Sequence, residues 1–595
     1  MAHTQFVNSP KSFVADAIRG LTACTDDLAW HADPGYLTRR TPPERGRVAV
    51  LSGGGSGHEP MHAGFIGRGM LAGACPGLVF TSPNALQIDA ATRAVDAGAG
   101  VVHVVKNYTG DVLNFRIAAD LARERGVAVE HVLVADDVAS DKGTDEAGEP
   151  VGPGMRGTAA TIAVEKICGA AADRGDDLAA VAALGRRVAD GARSMAAALR
   201  PCTLPGADEP SFDLPEGQIE IGIGIHGERG TERRDAMPAR DLVRLLADRI
   251  LASLRPADGD RLIAVVNGLG ASHPLELHLL FGELHDHLAH RGLVVARSLV
   301  GSFTTALDMA GASITLIRCD DEILELWDAP TEAPAWPNAP SRRVHGPGAA
   351  APSSGREEAP GGEASGAAPA PGRPDVRPPG IGAVGEWLGA WARRVIDEEP
   401  ALTRLDRQAG DGDFGTNMVA ALGRLDVEAL RTASSPAQAF AAVSDAYLGH
   451  AGGTSGALFG VWFRRLGSAA ADAGADAGSV VFAVPDLARG ARSGLDAITA
   501  LGGARPGDKT MIDALDPAVR ALETAVADGR DTGATPSAAA ALSSAADAAV
   551  RGAESTAEIT ARRGRASYIG EAARGVVDPG ALVMAWLFEE ASRAA

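Results

Sequence analysis

The chain reads as two unlike halves: an α/β half spanning 1–337 and an all-helical half spanning 381–595, joined by a tether over 338–380. Three observations predict this. Up to Pro330, short β-branched runs alternate with Ala/Arg-rich helical stretches, the rhythm of βαβ units in a parallel or mixed sheet. Between Asn338 and Gly380 the composition turns to Pro, Gly, Ala and Ser, which cannot bury enough surface to fold. From Ile381 strand signals vanish and Ala-rich helical patterns joined by Gly turns take over. Ala439–Leu448 is an example, with Phe440, Val443 and Tyr447 at i, i+3 and i+7. About eight helices are expected there.

Size and composition agree with several cores. At 595 residues the chain exceeds what one core supports, and roughly three to four domains are expected. A formal charge of −20 argues against a nucleic-acid surface, which needs clustered positive charge. No stretch approaches the roughly 18 apolar residues that span a bilayer. The opening MAHTQFVNSPKSF lacks the charged-then-apolar pattern of a secretory signal. Cys24, Cys75, Cys168, Cys202 and Cys319 are scattered, odd in number and without CxxC spacing, as suits buried thiols in a reducing compartment. A cytoplasmic location is expected.

In the first half, a helix around Phe13, Ala17, Ile18 and Leu21 and a polar lead-in precede a short strand, Val48–Leu51. SGGGSGHEP follows at once, and a strand entering a Gly-rich turn is a frequent ligand site in open sheets. The order GGGSG does not match the dinucleotide fingerprint, and a plain turn remains open as a reading. Val101–Val105 ends in KNYTGD, so Lys106 lies at a strand end and Asp111 in the following turn, before a helical stretch at Asn114–Arg125. Val132–Ala135 ends similarly in Asp136 and Asp137. Ile219–Ile225 reads as one strand, with four isoleucines on one face. The other face carries Gly222 and Gly224, then His226 at the end, and such a bare face needs a cover or a ligand. A helix at Asp241–Leu254 and strands at Leu262–Val266 and around Leu316–Ile317 complete this half.

In the second half the turns carry the chemistry. Leu405–Met418 holds Asp406, Asp411 and Asp413 within eight residues, among glycines. Carboxylates that dense repel one another unless a cation or hydrogen bonds hold them, and hard divalent ions take oxygen ligands. A solvated Asp/Gly turn is the alternative; no Glu closes an EF-hand loop. AGGTSGALFG offers Thr454, Ser455 and a helix N-terminus to phosphates. GGARPGDKTMIDAL nearly spells a Walker A motif, but Asp508 intrudes before Lys509 and no strand precedes it, which excludes a P-loop. GRASYIGEAARGVVDPGA closes the series.

Taken together, GGGSGHEPMHAGF, KNYTGDVLNF, GIHGERG, GDGDFGTNM, GGTSG, GDKTMID and GRASYIGE…DPGA resemble the dihydroxyacetone kinase family in its ATP-dependent single-chain form. The resemblance covers nearly the whole chain apart from the tether. It implies a substrate half of two α/β subdomains with mixed sheets and a nucleotide half that is an eight-helix antiparallel barrel. It assigns His226 to covalent capture of a ketose carbonyl as a hemiaminal and Asp111 to the base. It further implies that His58 and Lys106 bond the substrate and that Gly55, Ser56 and Gly57 line the pocket. On the helical half, Asp406, Asp411 and Asp413 would hold two Mg²⁺ ions bridging the ATP phosphates. Phe414, Gly415, Thr416, Asn417, Thr454, Ser455, Gly502, Thr510, Met511, Asp578, Pro579 and Gly580 match positions lining the nucleotide pocket.

Two departures stand out: Phe414 where many relatives have His, and a long basic Arg229 three residues after His226, which brings four-carbon erythrulose beside dihydroxyacetone as substrate. The resemblance also implies a homodimer, with no nucleic-acid or membrane partner. Some members of the family also cyclise FAD with Mn²⁺, a lyase alternative; others bind ketose and regulate transcription, for which loss of the aspartates would have argued.

Overall fold

The computed structural model describes residues 5–141, 143, 154–207, 209–337, 384–409, 414–473, 482–532, 537–561 and 573–595. Two six-stranded mixed sheets build the first half. One runs in the order β1-β2-β4-β3-β5-β6, from β1 (Leu28–His31), β2 (Tyr36–Arg39), β3 (Ala49–Ser56), β4 (Gly73–Val79), β5 (Val101–Lys106) and β6 (Val129–Val134). β3 pairs in parallel with β4 and β5, and β5 with β6, while β1 and β2 add an antiparallel edge. The other runs β11-β10-β12-β7-β8-β9, from β7 (Ala192–Arg200), β8 (Gln218–Ile221), β9 (Glu232–Asp235), β10 (Arg261–Gly268), β11 (Val294–Gly301) and β12 (Ala310–Arg318). Only its β10–β11 pair is parallel.

The helix Ala160–Arg174 lies in the core that joins the sheets. Every residue from Ala160 to Ala172 is buried, so its small and apolar residues run all round, as a fully enclosed helix requires. Asp136, at the end of β6, anchors it. Its carboxylate accepts from Thr158 N (2.6 Å), Thr158 Oγ1 (2.7 Å), Ala160 N (3.1 Å) and Ser194 Oγ on β7. This carboxylate therefore stitches one strand, one helix start and the second sheet together. Residues 330–336 return to the first sheet, where Thr331 Oγ1 donates to Arg68 O (2.8 Å) and Trp336 is buried against Trp327.

Four local expectations are corrected. The polar lead-in contains the β1–β2 hairpin. The glycine run does not follow a strand but lies inside β3, since Gly53 and Gly54 pair with β4. The helix after β5 begins at Thr109 rather than Asn114, which puts Asp111 in its first turn. The expected strand Ile219–Ile225 stops at Ile221, because Gly222 takes a left-handed φ of 78°. Its isoleucines do not share a face: Ile219 and Ile221, Ile223, and Ile225 enter three separate apolar clusters. Nor is the glycine side bare, since Ala139 and Thr231 cover Gly222, and Glu228 and Arg156 cover Gly224.

The described helices of the second half are Val384–Asp397, Glu399–Ala409, Phe414–Leu422, Val427–Arg431, Pro436–His450, Gly453–Ala473, Val484–Gly502, Ile512–Thr532, Ala538–Ser555 and Pro579–Ala594. From Pro436 onward each packs on the next, and the last returns to the first. There Trp387 and Trp391 donate their indole N–H groups to Leu587 O (2.7 Å) and Val583 O (3.0 Å). Among the described residues no helix is long and apolar enough to cross a membrane.

Helix Thr109–Glu124 of the first half lies against Gly453–Ala473 of the second. Leu113, Ile117 and Leu121 meet Leu448, Ala457 and Leu458 there. Asn84 Nδ2 donates to Gly449 O (2.8 Å) and Asn114 Nδ2 to Gly453 O (2.7 Å).

Two glycine substitutions separate packing from propensity. A Cβ on Gly169 would sit 2.3 Å from Met70 Cα, so Gly169→Ala is expected to destabilise by about 1–3 kcal/mol in urea titration. Gly282, exposed within helix Pro274–His290, has nothing within 4 Å, so Gly282→Ala is expected to stabilise by about 0.5–1 kcal/mol.

Candidate active site

The carboxyl ends of β3 and β5 lie side by side, and the turn after β8 brings His226 to them. His58 is buried, and its Nδ1–H donates to Thr305 O at 2.8 Å. That bond fixes the tautomer: Nε2 carries a lone pair, and it has no hydrogen-bond partner. Burial holds His58 well below the usual imidazole range, and neighbouring His226 and Lys106 add to the effect. The ring stacks on Phe80 (centroids 5.2 Å) and meets His226 edge-on (4.7 Å). Tyr108 (4.4 Å) and Phe80 (5.5 Å) complete an aromatic clamp around His226.

Glu228 orients His226. One carboxylate oxygen accepts from the His226 backbone N–H at 2.9 Å, and the other lies 3.3 Å from Nδ1. Burial would raise the Glu228 carboxyl, but His226 and Arg156 outweigh it and hold the group ionised, well below the usual range. An ionised carboxylate only accepts, so Nδ1 bears a proton toward it. Arg156 is itself held by Asp137 (2.6 Å) and donates to Gly222 O (3.0 Å).

Asp111 sits in the first turn of its helix, 2% exposed, where a carboxylate is favoured by the helix N-terminus. Its Oδ2 pairs with Lys106 Nζ at 3.3 Å, while Oδ1 is buried without a hydrogen-bond partner. Lys106 is fully buried, and its ammonium also faces Gly53 O (3.1 Å) and His62 Nε2 (3.0 Å). Gly54 must lack a side chain here, since a Cβ would lie 1.9 Å from Nζ. Ser56 Oγ donates to Gly77 O (2.7 Å), Gly57 N to Glu59 (2.8 Å), and Gly55 lies against the Phe80–Thr81 backbone. Arg229 is exposed.

In the helical half, Asp406 is buried and accepts from Phe414 N at 3.0 Å. Asp411 and Asp413 lie outside the described residues. Among the described residues alone no metal-holding group of three or more side chains forms. Of the three expected ligands only Asp406 is described, a hard oxygen donor of the kind such a cation takes; burial pushes nearby Asp578 up to about 7, with Asp406 and Asp513 adding to it. Asp578 caps helix Pro579–Ala594 through Ala581 N (2.7 Å), which puts Pro579 and Gly580 in its first turn. A Cβ on Gly580 would lie 3.6 Å from Met511 Cβ and 3.8 Å from the Phe414 ring, so three of the expected nucleotide-lining positions are neighbours. Gly415, Thr416 and Asn417 continue the first turn that Phe414 opens, Thr454 and Ser455 begin Gly453–Ala473, and Gly502 ends its own helix. Thr510 N donates to Asp513 (2.8 Å). Lys509 is buried and donates to Thr556 O (2.6 Å) and Val576 O, which makes it a clamp on the chain.

The two sets of residues meet at a backbone contact. Gly110, beside Asp111, touches Gly453, beside Thr454; a Cβ on Gly110 would lie 2.9 Å from Gly453 Cα. Gly453 N in turn donates to Ser82 O (3.3 Å).

Comparison with known proteins agrees with this layout. A Dak1 domain model matches residues 19–335 and a DAK2 domain model matches residues 408–593. The chain is 38% identical to L-erythrulose 1-kinase of Mycolicibacterium smegmatis, over 98% of each chain. The chain belongs to the dihydroxyacetone kinase family. It has the family's single-chain form and is a kinase of that family. It is also 37% identical to the triokinase/FMN cyclase of Rattus norvegicus, over 99% of this chain and 98% of that one. Among solved structures it resembles the dihydroxyacetone kinase of C. freundii in complex with AMP-PNP and Mg²⁺, with TM-score 0.51, 33% identity and full coverage of both chains.

Sequence reasoning missed Tyr108, Phe80, Glu228 and Arg156. Tyr108 and Glu228 lie within quoted motifs, KNYTGD and HGERG, and were there to be found. Arg156 and Thr305 reach the site from about 70 and 250 residues away and leave no local signal.

Gly110→Val would drive a branched side chain into the Gly453 backbone. It is expected to part the halves, read as a larger radius of gyration in small-angle scattering with an unchanged far-ultraviolet circular dichroism spectrum.

Proposed function

We propose that this kinase transfers the γ-phosphate of ATP to the terminal hydroxyl of an open-chain ketose of three or four carbons, dihydroxyacetone first and erythrulose second. Residues 1–337 form the ketose half, 338–380 a tether and 381–595 the nucleotide half, read as an eight-helix antiparallel barrel. The observation that carries the proposal is a pair of buried acceptors without partners, His58 Nε2 and Asp111 Oδ1, beside the His226 ring. His226 Nε2 adds to the ketose carbonyl carbon and the C=O π pair moves to oxygen. In the neutral ring the proton that Nδ1 gives up reaches that oxygen through solvent, Glu228 stays ionised, and the balance closes on a neutral hemiaminal. Capture this way excludes sugars whose carbonyl is closed in a ring.

His58 Nε2 accepts from a substrate hydroxyl, and the Gly55–Gly57 backbone lines the pocket. Asp111 Oδ1 takes the proton of the attacking hydroxyl. Asp406, Asp411 and Asp413 would hold Mg²⁺, which neutralises charge on the phosphates and fixes an in-line geometry when bound. The free N–H groups around Thr454 and Ser455 suit a phosphate oxygen. We read the assembly as a cytoplasmic homodimer.

Likeness to the erythrulose kinase supports the four-carbon alternative, and likeness to the triokinase/FMN cyclase supports a second activity, release of AMP from FAD with Mn²⁺.

The test is a panel of dihydroxyacetone, glyceraldehyde, D-erythrulose and L-erythrulose, ranked by kcat/KM with Mg-ATP, beside AMP release from FAD. A ketose is expected to rank first. Asp111→Ala should lower kcat by about 10²–10⁴-fold, the range of a lost general base. His226→Ala should lower kcat/KM for small ketoses. Normal turnover in Asp413→Ala would remove the metal assignment.

A further inference from the structure

Behind the pocket lies a buried polar chain that the proposed reaction does not touch. Glu165, on the enclosed helix Ala160–Arg174, is fully buried and places Oε1 2.5 Å from His62 Nδ1. His62 Nε2 is 3.0 Å from Lys106 Nζ, and Lys106 reaches Asp111 Oδ2. The order of donors follows from valence. An ammonium paired with a carboxylate has three protons and no lone pair, and here three acceptors surround it: Gly53 O, His62 Nε2 and Asp111 Oδ2. His62 Nε2 must therefore be unprotonated, and Nδ1 must carry the proton. Ser52 Oγ, 3.0 Å from Nδ1, already donates to Val104 O (2.9 Å), so it too accepts from Nδ1. Glu165 Oε1 accepts, and any proton that Glu165 takes up goes to Oε2, which has no partner.

We propose that Glu165 and His62 are positioning residues for the phosphoryl acceptor: through Lys106 they fix Asp111 by Oδ2, so that Oδ1 meets the substrate hydroxyl. Lys106 then serves the base, with its ammonium 3.3 Å from Asp111 Oδ2. Burial keeps His62 well below the usual imidazole range, with Lys106 adding, which agrees with a neutral ring. The chain crosses four elements (helix Ala160–Arg174, the segment after β3, β5 and helix Thr109–Glu124), so a shift in the core reaches the base.

This inference rests on the ketose kinase reading, and the experiment separates the two. Glu165→Met removes the acceptor at similar volume; burial already pushes the Glu165 carboxyl up to about 8 and His62 is neutral, so the exchange leaves no ion without its counter-charge. With Mg-ATP and the best ketose, it is expected to lower kcat about fivefold or more, with KM for the ketose within about threefold. Glu165→Gln, whose amide oxygen can still accept from Nδ1–H, is expected to stay within about threefold of the parent. A smaller kcat loss in Glu165→Met, a loss in KM alone, or a Gln variant as poor as Met overturns the inference.

Should Glu165→Met not fold, ¹⁵N-histidine spectra of the full chain at pH 7 decide. A neutral Nδ1–H tautomer for His62, identified by its shift in Glu165→Gln, supports the chain of donors, and an imidazolium or Nε2–H form overturns it. An active parent with an unaffected Glu165→Met overturns only this inference. A parent that phosphorylates no ketose overturns both.

Discussion

An ammonium group with no access to water dictates how the substrate half is built. Stripping an ion of its hydration costs several kcal/mol even after relaxation, so every proton on Lys106 Nζ needs an acceptor. The fold supplies them from three places: a carbonyl of β3, an imidazole from the segment that follows β3, and a carboxylate in a helix's first turn. Gly54 can only be glycine, because the ammonium occupies the space of its side chain. Positions 53, 54, 62, 106 and 111 therefore have to agree with one another. Removing one partner of such a set leaves an uncompensated charge, which is worse than never burying it.

The same helix that takes part in this network also faces the other half. Asp111 turns toward Lys106, while Gly110 and Asn114 turn toward Gly453. A rigid element placed this way fixes Asp111 relative to Gly453 far better than a loop would. The contact surface suits that role. Two glycines let backbones touch, two asparagines fix the register, and Leu113, Ile117 and Leu121 supply apolar area. Carrying Asp111 and the docking face on consecutive residues means that seating the helical half also sets where that carboxylate stands.

The change from a βαβ rhythm to a helical pattern was legible because periodicity changes sharply between the halves, and the two sheets and the described helices follow it. His58, His226, Lys106 and Asp111 each lie in a short motif, so that these residues stand out was legible in the sequence. What those residues bond to was not. The tautomer of His58 depends on Thr305, and that of His226 on an arginine-backed Glu228, partners joined by tertiary contact alone. Strand extent failed at Ile219–Ile225 for a related reason. Alternation there matched a strand, but Gly222 adopts a positive φ, and the residues beyond it fill separate clusters. A period-two pattern cannot reveal that its members serve different cores. Ala192–Arg200 shows the converse: an Ala-rich stretch with no strand signature becomes β7 because it is flanked by β12 and β8 in the sheet.

Hydrogen-bond polarity then narrows the ligand. Both cations nearest the pocket floor are committed, Lys106 to Asp111 and Arg156 to Asp137 and Gly222. What remains unpartnered is lone pairs, His58 Nε2 and Asp111 Oδ1, beside the His226 ring. A pocket of acceptors is satisfied by a molecule rich in hydroxyl donors and repels an anion such as a carboxylate. An imidazole lone pair adds the demand for an electrophilic carbon. A neutral polyhydroxy carbonyl compound meets both conditions, and Phe80 and Tyr108 set their rings edge-on to the imidazole. Phosphorylation itself breaks the match, because the product is a dianion facing a carboxylate. The electrostatics that admit the substrate thus favour release of what it becomes.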